Sequence, residues 1–407
     1  MLRSKARLYW ALAILGMMAW IAADPPGWDL DVYRKAVSSF QSGHDPYQDE
    51  IAGTGDYARN LSAEYGGGAS LYYVYSPVTL QIVAVTDKFR ISRLLYWLVY
   101  AGCVLAIVLV AASAITTRDP RYAALVPPAA LFFPGLLVNG TLLSGNVAII
   151  LYGLVYAGAA IGWRKNRWLP FYVAVLLCSL FKLPMLGLLA IAVFSAPKQW
   201  IPASVTAVVA LSGFAAQSYF FPILFRHQLQ AVDHLFSFNR DVGCSPAGIF
   251  AGLLFDHGAP YFPLAPLFFL VYALPICAIL YRLSKRFLAG DLLFAEWMPV
   301  LLVGVTLLNP RLLEYDVLPI TIPLALIAIR SAHRAPCPKL AALMLCGLWL
   351  AANSAVFASH RTLRWKQVEC VILCALFILG SLGLLRTSTA NRELRTIDAH
   401  PAVESNA

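Results

Sequence analysis

The chain has 407 residues, of which 60% are hydrophobic and only 13% charged, about half the charged share of a soluble domain. That balance excludes an ordinary water-soluble domain and points to a solvent that tolerates few charges. The formal net charge of +10 does not indicate nucleic acid, because the basic residues fall in short clusters between apolar runs rather than on one face.

A bilayer crossing needs about 20 apolar residues. Candidate runs cover roughly 8–23, 75–88, 93–115, 122–138, 146–162, 169–181, 184–196, 200–217, 261–281, 293–308, 316–330, 340–356 and 367–386. Amphipathic patterning is rare among them, so the helices are apolar all round, as in a lipid-embedded bundle. Met1–Ala23, with Arg3, Lys5 and Arg7 ahead of its apolar run, reads as a signal peptide or as an uncleaved first span starting inside. The many spans that follow favour the second.

Cytoplasmic loops carry an excess of Lys and Arg. On that rule Arg164, Lys165, Arg167, Lys198, Arg282, Lys285, Arg286, His333, Arg334 and Lys339 fall inside. The stretches 24–74, 218–260 and 309–315, and Lys182, then fall outside; 24–74 carries eight acidic and three basic residues, which does not oppose this. Lys88, Arg90 and Arg93 also read as inside. One candidate before 163 must then fail to cross, and 122–138, interrupted by Pro127, Pro128 and Pro134, is the expected half-helix. The expected fold is an all-α polytopic membrane protein of about twelve spans, as a single domain over 1–386 with a disordered cytoplasmic tail 387–407. Two large outer stretches, 24–74 and 218–260, belong to that domain.

The first outer stretch carries most of the chemistry. Val32, Tyr33, Ala36, Val37 and Phe40 share one face at helical spacing and Gly43 is a natural stop, which predicts an amphipathic helix on the membrane surface. Asp29 stands at its head, where an Asp commonly caps a helix. Asp29 and Asp31 form a DxD, but side chains two apart on a helix diverge, which argues against a metal pair. Cys103, Cys178, Cys277, Cys346, Cys370 and Cys374 lie in apolar runs, Cys244 and Cys337 in polar ones, and no CxxC occurs. His227, His234 and His257 have spacings that match no zinc pattern.

Asp29-Leu30-Asp31-Val32-Tyr33, followed by Gly43-His44-Asp45-Pro46-Tyr47, resembles the opening of glycosyltransferase family 87. That family has the GT-C fold and includes bacterial polyprenol-phosphate-mannose-dependent mannosyltransferases. Its motifs there read D-F-x-x-Y and G-x-D-P-Y. In the family's order, Tyr75-Ser76-Pro77 resembles its Y-P-P, Gly145-Asn146 its G-Q, Lys182-Leu183-Pro184 its K-x-P and Asn309-Pro310 its S-P. The chain departs where members that transfer mannose have a Trp and a His after S-P; here Leu313 and Tyr315 stand. The departure bears on the sugar and the acceptor more than on the reaction class.

The resemblance implies transfer of mannose or another hexose or pentose from a polyprenyl-phosphate donor to a lipid or glycan acceptor hydroxyl. It places the reaction outside a bacterial inner membrane, in a monomer without cofactor or metal. It makes Asp29 the general base, and a helix N-terminus is expected to keep its carboxyl ionised. Lys182, then Arg311, then Arg240 are the candidates for holding the departing phosphate, while a lysine at a span end can equally snorkel. Tyr33, Asp45, Tyr47, Tyr75, Asn146, Asn239, Glu314 and Tyr315 complete the candidate substrate contacts; a salt bridge among Arg311, Glu314 and Asp316 is the structural alternative. The competing reading of the whole chain is a transporter or lipid-linked sugar flippase.

Overall fold

The computed structural model describes residues 27–48, 73–88, 93–115, 120–131, 133, 142, 144–237, 243–256, 264–359 and 363–398. Among them every regular element is a helix. In chain order these are α1 (Trp28–Gln41), α2 (Pro77–Lys88), α3 (Arg93–Ala112), α4 (Pro120–Leu131), α5 (Val147–Lys165) and α6 (Leu169–Phe181). A 3-10 stretch, Leu183–Leu189, leads into α7 (Ala190–Ser195), and α8 (Trp200–Phe220), α9 (Pro222–Ser237) and α10 (Pro246–Asp256) follow. The remainder are α11 (Ala265–Leu288), α12 (Phe294–Leu307), α13 (Glu314–Val317), α14 (Thr321–Arg334), α15 (Pro338–Ser359) and α16 (Leu363–Asp398). The expected tail therefore begins inside the last helix, and the expected first span lies outside the described residues.

Six helical segments among the described residues are long and apolar enough to cross a membrane: Leu94–Ala112, Val147–Lys165, Trp200–Phe220, Ala265–Leu288, Glu314–Arg334 and Gln367–Leu385. This is a membrane-embedded helical protein, but the described residues carry six such segments rather than the expected twelve. The shortfall has a physical cause. Leu169–Phe181, Leu183–Ser195 and Phe294–Leu307 are apolar but only 13, 13 and 14 residues long, about 20 Å each against a hydrocarbon core of about 30 Å. α6 ends at Phe181: Lys182 is extended at φ −138°, and Pro184 has no N–H to continue the helical ladder back to Leu180. The two short helices meet at Lys182.

Helix direction follows from contacts at the two ends of the bundle. The Tyr96 hydroxyl donates to the Gly145 carbonyl, and Cys103 packs on Gly153, so α3 and α5 run the same way from the end that holds Asp29. At the opposite end Arg330 donates to the carbonyls of Ala295 (2.8 Å) and Ala114 (2.9 Å), and Arg334 pairs with Glu296 at 2.9 Å. That end also holds Arg164 and Lys165 in the last turn of α5, and Lys285 and Arg286 in that of α11, where cations suit the helix dipole.

Of 122–138, the described helix Pro120–Leu131 has 12 residues and is not among the segments long enough to cross. One expectation is corrected here. Arg93 opens α3 at the Asp29 end, not at the basic end. The Lys/Arg bias is statistical, and three residues next to a short helix do not decide a crossing.

The bundle is built around α12 and α14. Trp297, Met298, Leu301, Val303 and Leu307 are fully or nearly fully buried, and 72% of Glu314–Arg334 is buried against 17% of Trp200–Phe220. Burial at this density contributes roughly 1.5–3 kcal/mol per large apolar side chain when the alternative is water. In lipid the gain comes instead from close packing, which small residues allow.

Candidate functional site

At the end away from the basic cluster, five segments converge: the start of α1, the stretch 73–76, the entry to α5, the break at Lys182, and the turn 309–316. Asp29 is the second residue of α1, which Gly27 caps in the left-handed region (φ 107°) without a side-chain hydrogen bond. The expected capping role is therefore not what Asp29 does. Its backbone N–H donates to the Ser144 carbonyl (3.0 Å), and its carboxylate accepts from Asn146 Nδ2 (2.9 Å). Asn146 is itself the N-cap of α5, its Oδ1 accepting from the Ala148 N–H at 2.9 Å, which fixes its amide with the NH2 toward Asp29. Gly145 suits this turn through its left-handed backbone (φ 69°), which side-chain-bearing residues rarely adopt.

Asp29 is 8% exposed. Burial pushes its carboxyl up to about 7, with Asn146, Lys182 and Ser144 pulling the other way. This reverses the expectation of a lowered value. A helix terminus favours the anion only modestly, and removal of water from a carboxylate outweighs it.

Tyrosines wrap this carboxyl. Tyr33, one turn along α1 and 5% exposed, shares a 2.9 Å hydroxyl–hydroxyl bond with Tyr75. The Val147 N–H reaches the Tyr33 oxygen at 3.4 Å. Tyr47 is buried and donates to the Tyr75 carbonyl (2.7 Å), which helps hold the 73–76 stretch. Asp45 is likewise committed to the protein. Its Oδ1 accepts from the Tyr47 N–H (2.9 Å) and its Oδ2 pairs with His227 Nδ1 of α9 (2.5 Å), strapping the loop after α1 to α9.

Lys182 faces Asp316, one of the two acids expected to form a salt bridge beside Arg311. Its Nζ lies 3.5 Å from Asp316 Oδ1 and 4.1 Å from the centre of the Tyr315 ring. Asp316 is 1% exposed, and its other oxygen accepts from the Leu313 N–H at 3.1 Å, closing the turn into α13. The ion pair sits within electrostatic reach of Asp29 and Arg311. Arg311 also acts on Tyr75 and Tyr315. Its turn is held by the Asn309 side chain (3.1 Å to the Arg311 N–H), and by Ser245 and Cys244, which donate to the carbonyls of Pro310 (2.5 Å) and Leu312 (2.6 Å). Gly243 (φ 69°) is required there, because a Cβ would collide with the Leu312 carbonyl.

The structure thus brings together Asp29, Tyr33, Tyr75, Asn146, Lys182, Arg311 and Tyr315. It uses Asp45 and Tyr47 as scaffolding, and the half-buried Glu314 carboxylate joins the cluster through no hydrogen bond or ion pair among the described residues. Asn239 and Arg240 lie outside the described residues. Ser144 and Tyr96 are the members that sequence reasoning missed; Asp316 was expected in a salt bridge beside Arg311, and the structure pairs it with Lys182. Among the described residues no three His, Cys, Asp or Glu side chains are grouped as metal ligands. The assembly can hold one proton-exchanging carboxyl beside two cations in a water-poor, tyrosine-lined setting. No family model matches the chain, and neither does any curated protein or solved structure.

Proposed function

We propose that the chain is a membrane glycosyltransferase that transfers a hexose or pentose from a polyprenyl-phosphate donor to a lipid or glycan hydroxyl, on the extracytoplasmic side of a bacterial inner membrane. The observation that carries this reading is Asp29: a buried carboxyl at about 7, oriented by Asn146 and set near Lys182. A general base works best with a pKa near the working pH. The acceptor oxygen attacks the anomeric carbon opposite the phosphate, the acceptor proton passes to Asp29, and the C1–O bond breaks with inversion. Polyprenyl phosphate leaves with the bonding pair, and Lys182 and Arg311 supply the positive charge that its oxygens need. In the same proposal the bundle is GT-C-like, with about twelve traversals, and a site beside its short helices would lie where a lipid phosphate can arrive. The basic end then faces the cytoplasm.

The test is transfer of a labelled sugar from a polyprenyl-phosphate donor in membranes with equal amounts of wild type and Asp29→Asn. Sidedness is tested separately: a cysteine at the exposed Ser38 of α1 should react with an impermeant thiol reagent in intact cells, and labelling only after lysis would move the site inside. One observation favours the second reading, a transporter or flippase: Lys182 and Asp316 form a buried ion pair at a helix break, a feature of substrate paths through membranes. Movement of intact lipid-linked sugar across vesicles without glycosidic transfer would select it.

A further inference from the structure

Four tyrosine hydroxyls stand in or beside the candidate site, and their hydrogen bonds run in definite directions. Tyr47 donates to the Tyr75 carbonyl (2.7 Å) and Tyr96 to the Gly145 carbonyl. A carbonyl only accepts, so both of those protons are committed to the protein. Tyr33 and Tyr75 share a 2.9 Å bond in which either oxygen is able to donate, and the surroundings decide which one does. The Tyr33 oxygen faces the Val147 N–H at 3.4 Å, which is a donor. Among the described residues Tyr75 is the one acceptor within reach of the Tyr33 proton. Tyr33 therefore donates and Tyr75 accepts.

Tyr75 accepts a second time. The Asn146 amide, which donates to Asp29, is also a hydrogen-bonding neighbour of the Tyr75 phenol. Its Oδ1 is spent on the Ala148 N–H, so what it offers Tyr75 is the NH2. Two donors on the phenol oxygen polarise its own O–H, and that proton meets no acceptor among the described residues. Tyr75 is half-buried, and Arg311 acts on it electrostatically. A ligand atom that reaches this hydroxyl must accept, and the cation beside it favours an anion. Lys182, by contrast, is already paired with Asp316 at 3.5 Å, which leaves an entering phosphate short of uncommitted donors.

We propose that the Tyr75 hydroxyl, oriented by Tyr33 and Asn146, donates to an oxygen of the departing phosphate beside Arg311. The assignment rests on the transferase reading and adds a neutral donor to its two cations. As the C1–O bond breaks, charge grows on the phosphate and the Tyr75 hydrogen bond strengthens, the proton staying on the phenol. The test measures sugar transfer from a polyprenyl-phosphate donor in membranes. Alongside it, native mass spectrometry of the purified full chain follows retention of polyprenyl phosphate and of uncharged polyprenol. Tyr75→Phe keeps the ring and should lower transfer about 10²-fold, the scale of one removed oxyanion donor. It should weaken retention of polyprenyl phosphate about tenfold and leave that of polyprenol as it is. Tyr33→Phe removes the other hydroxyl of the same bond and should cost about tenfold or less in transfer, because Tyr75 keeps its proton. A loss of about 10²-fold in Tyr33→Phe would overturn the direction of the bond and with it the proposal, even if Tyr75→Phe does not fold. Unchanged retention in Tyr75→Phe with a displaced pH profile of transfer would put the proton on Asp29 and overturn it too. A wild type that transfers no sugar would end the transferase reading, whereas wild-type transfer and retention in Tyr75→Phe would end the Tyr75 assignment alone.

Discussion

The start of α1 and the start of α13 each bury an aspartate at the same end of the bundle, and they hold it in opposite ways. Asp316, 1% exposed, has a lysine on one oxygen and a backbone N–H on the other. Asp29, 8% exposed, has a neutral amide as its hydrogen-bond partner, with Lys182 acting only at a distance. The first arrangement ties the carboxylate into the packing of the protein. The second leaves a carboxyl for which gaining or losing a proton is nearly balanced at neutral pH. The partner, more than the residue type, separates a strut from a base.

Replacing Asp29, the proposed base, should break this contrast most severely. Asp29→Asn removes the proton acceptor while its side-chain oxygen can still accept from Asn146, so transfer should fall by about 10²–10⁴ with the melting midpoint maintained. Wild-type transfer in this variant would end the assignment of Asp29. Next is Asp316→Ala, which strands Lys182. Breaking one side of a buried pair costs about 3–5 kcal/mol, readable as a lowered midpoint in detergent. The double variant Lys182→Met, Asp316→Leu should recover most of that stability without recovering transfer. If Asp316→Ala were as stable as wild type, Asp316 would not be a strut.

The pH profile sharpens the comparison. The folded Asp29 carboxyl sits at about 7, above its ordinary value of 3.8, so the folded state binds the proton more tightly than the unfolded chain. Its contribution to stability is therefore fully present below about pH 4 and lost as pH rises through about 7. Transfer has the opposite slope, because only the deprotonated carboxylate accepts a proton; it should rise through pH 7 and level off. Asp29→Asn should flatten the stability profile, measured as midpoint against pH. A wild-type transfer rate independent of pH between 5 and 8 would contradict the role. The smallest effect is expected from Asn146→Ala. It should lower stability by about 1 kcal/mol through loss of the α5 cap, and it should shift the transfer pH profile, which an effect on capping alone would not move.

Several elements are legible in the order of residues. The helix predicted after Gly27 forms over Trp28–Gln41, and the runs at 93–115, 146–162 and 367–386 contain full-length membrane helices. The order of short motifs anticipates that Asp29, Tyr75, Asn146, Lys182 and Arg311 meet, although they are spread over most of the chain. The roles of Asp45 and Tyr47 are not legible, because a carboxylate and a phenol in an outer loop look the same whether they face a substrate or strap a loop to α9.

Hydropathy and period act locally, so the sequence alone determined that this is a helical membrane protein, where most of its helices lie, and that one amphipathic helix bears an acid at its head. The tertiary structure alone decided which groups share a dielectric. Asn146 is 117 residues from Asp29, and Asp316 is 134 from Lys182; no local pattern reports such pairings. It also decided that Arg93 stands at the Asp29 end, since that depends on where the following turn of α3 packs. And it reversed the expected direction of the Asp29 pKa: the helix dipole can be read from position in the chain, whereas desolvation exists only once five segments close around the carboxyl.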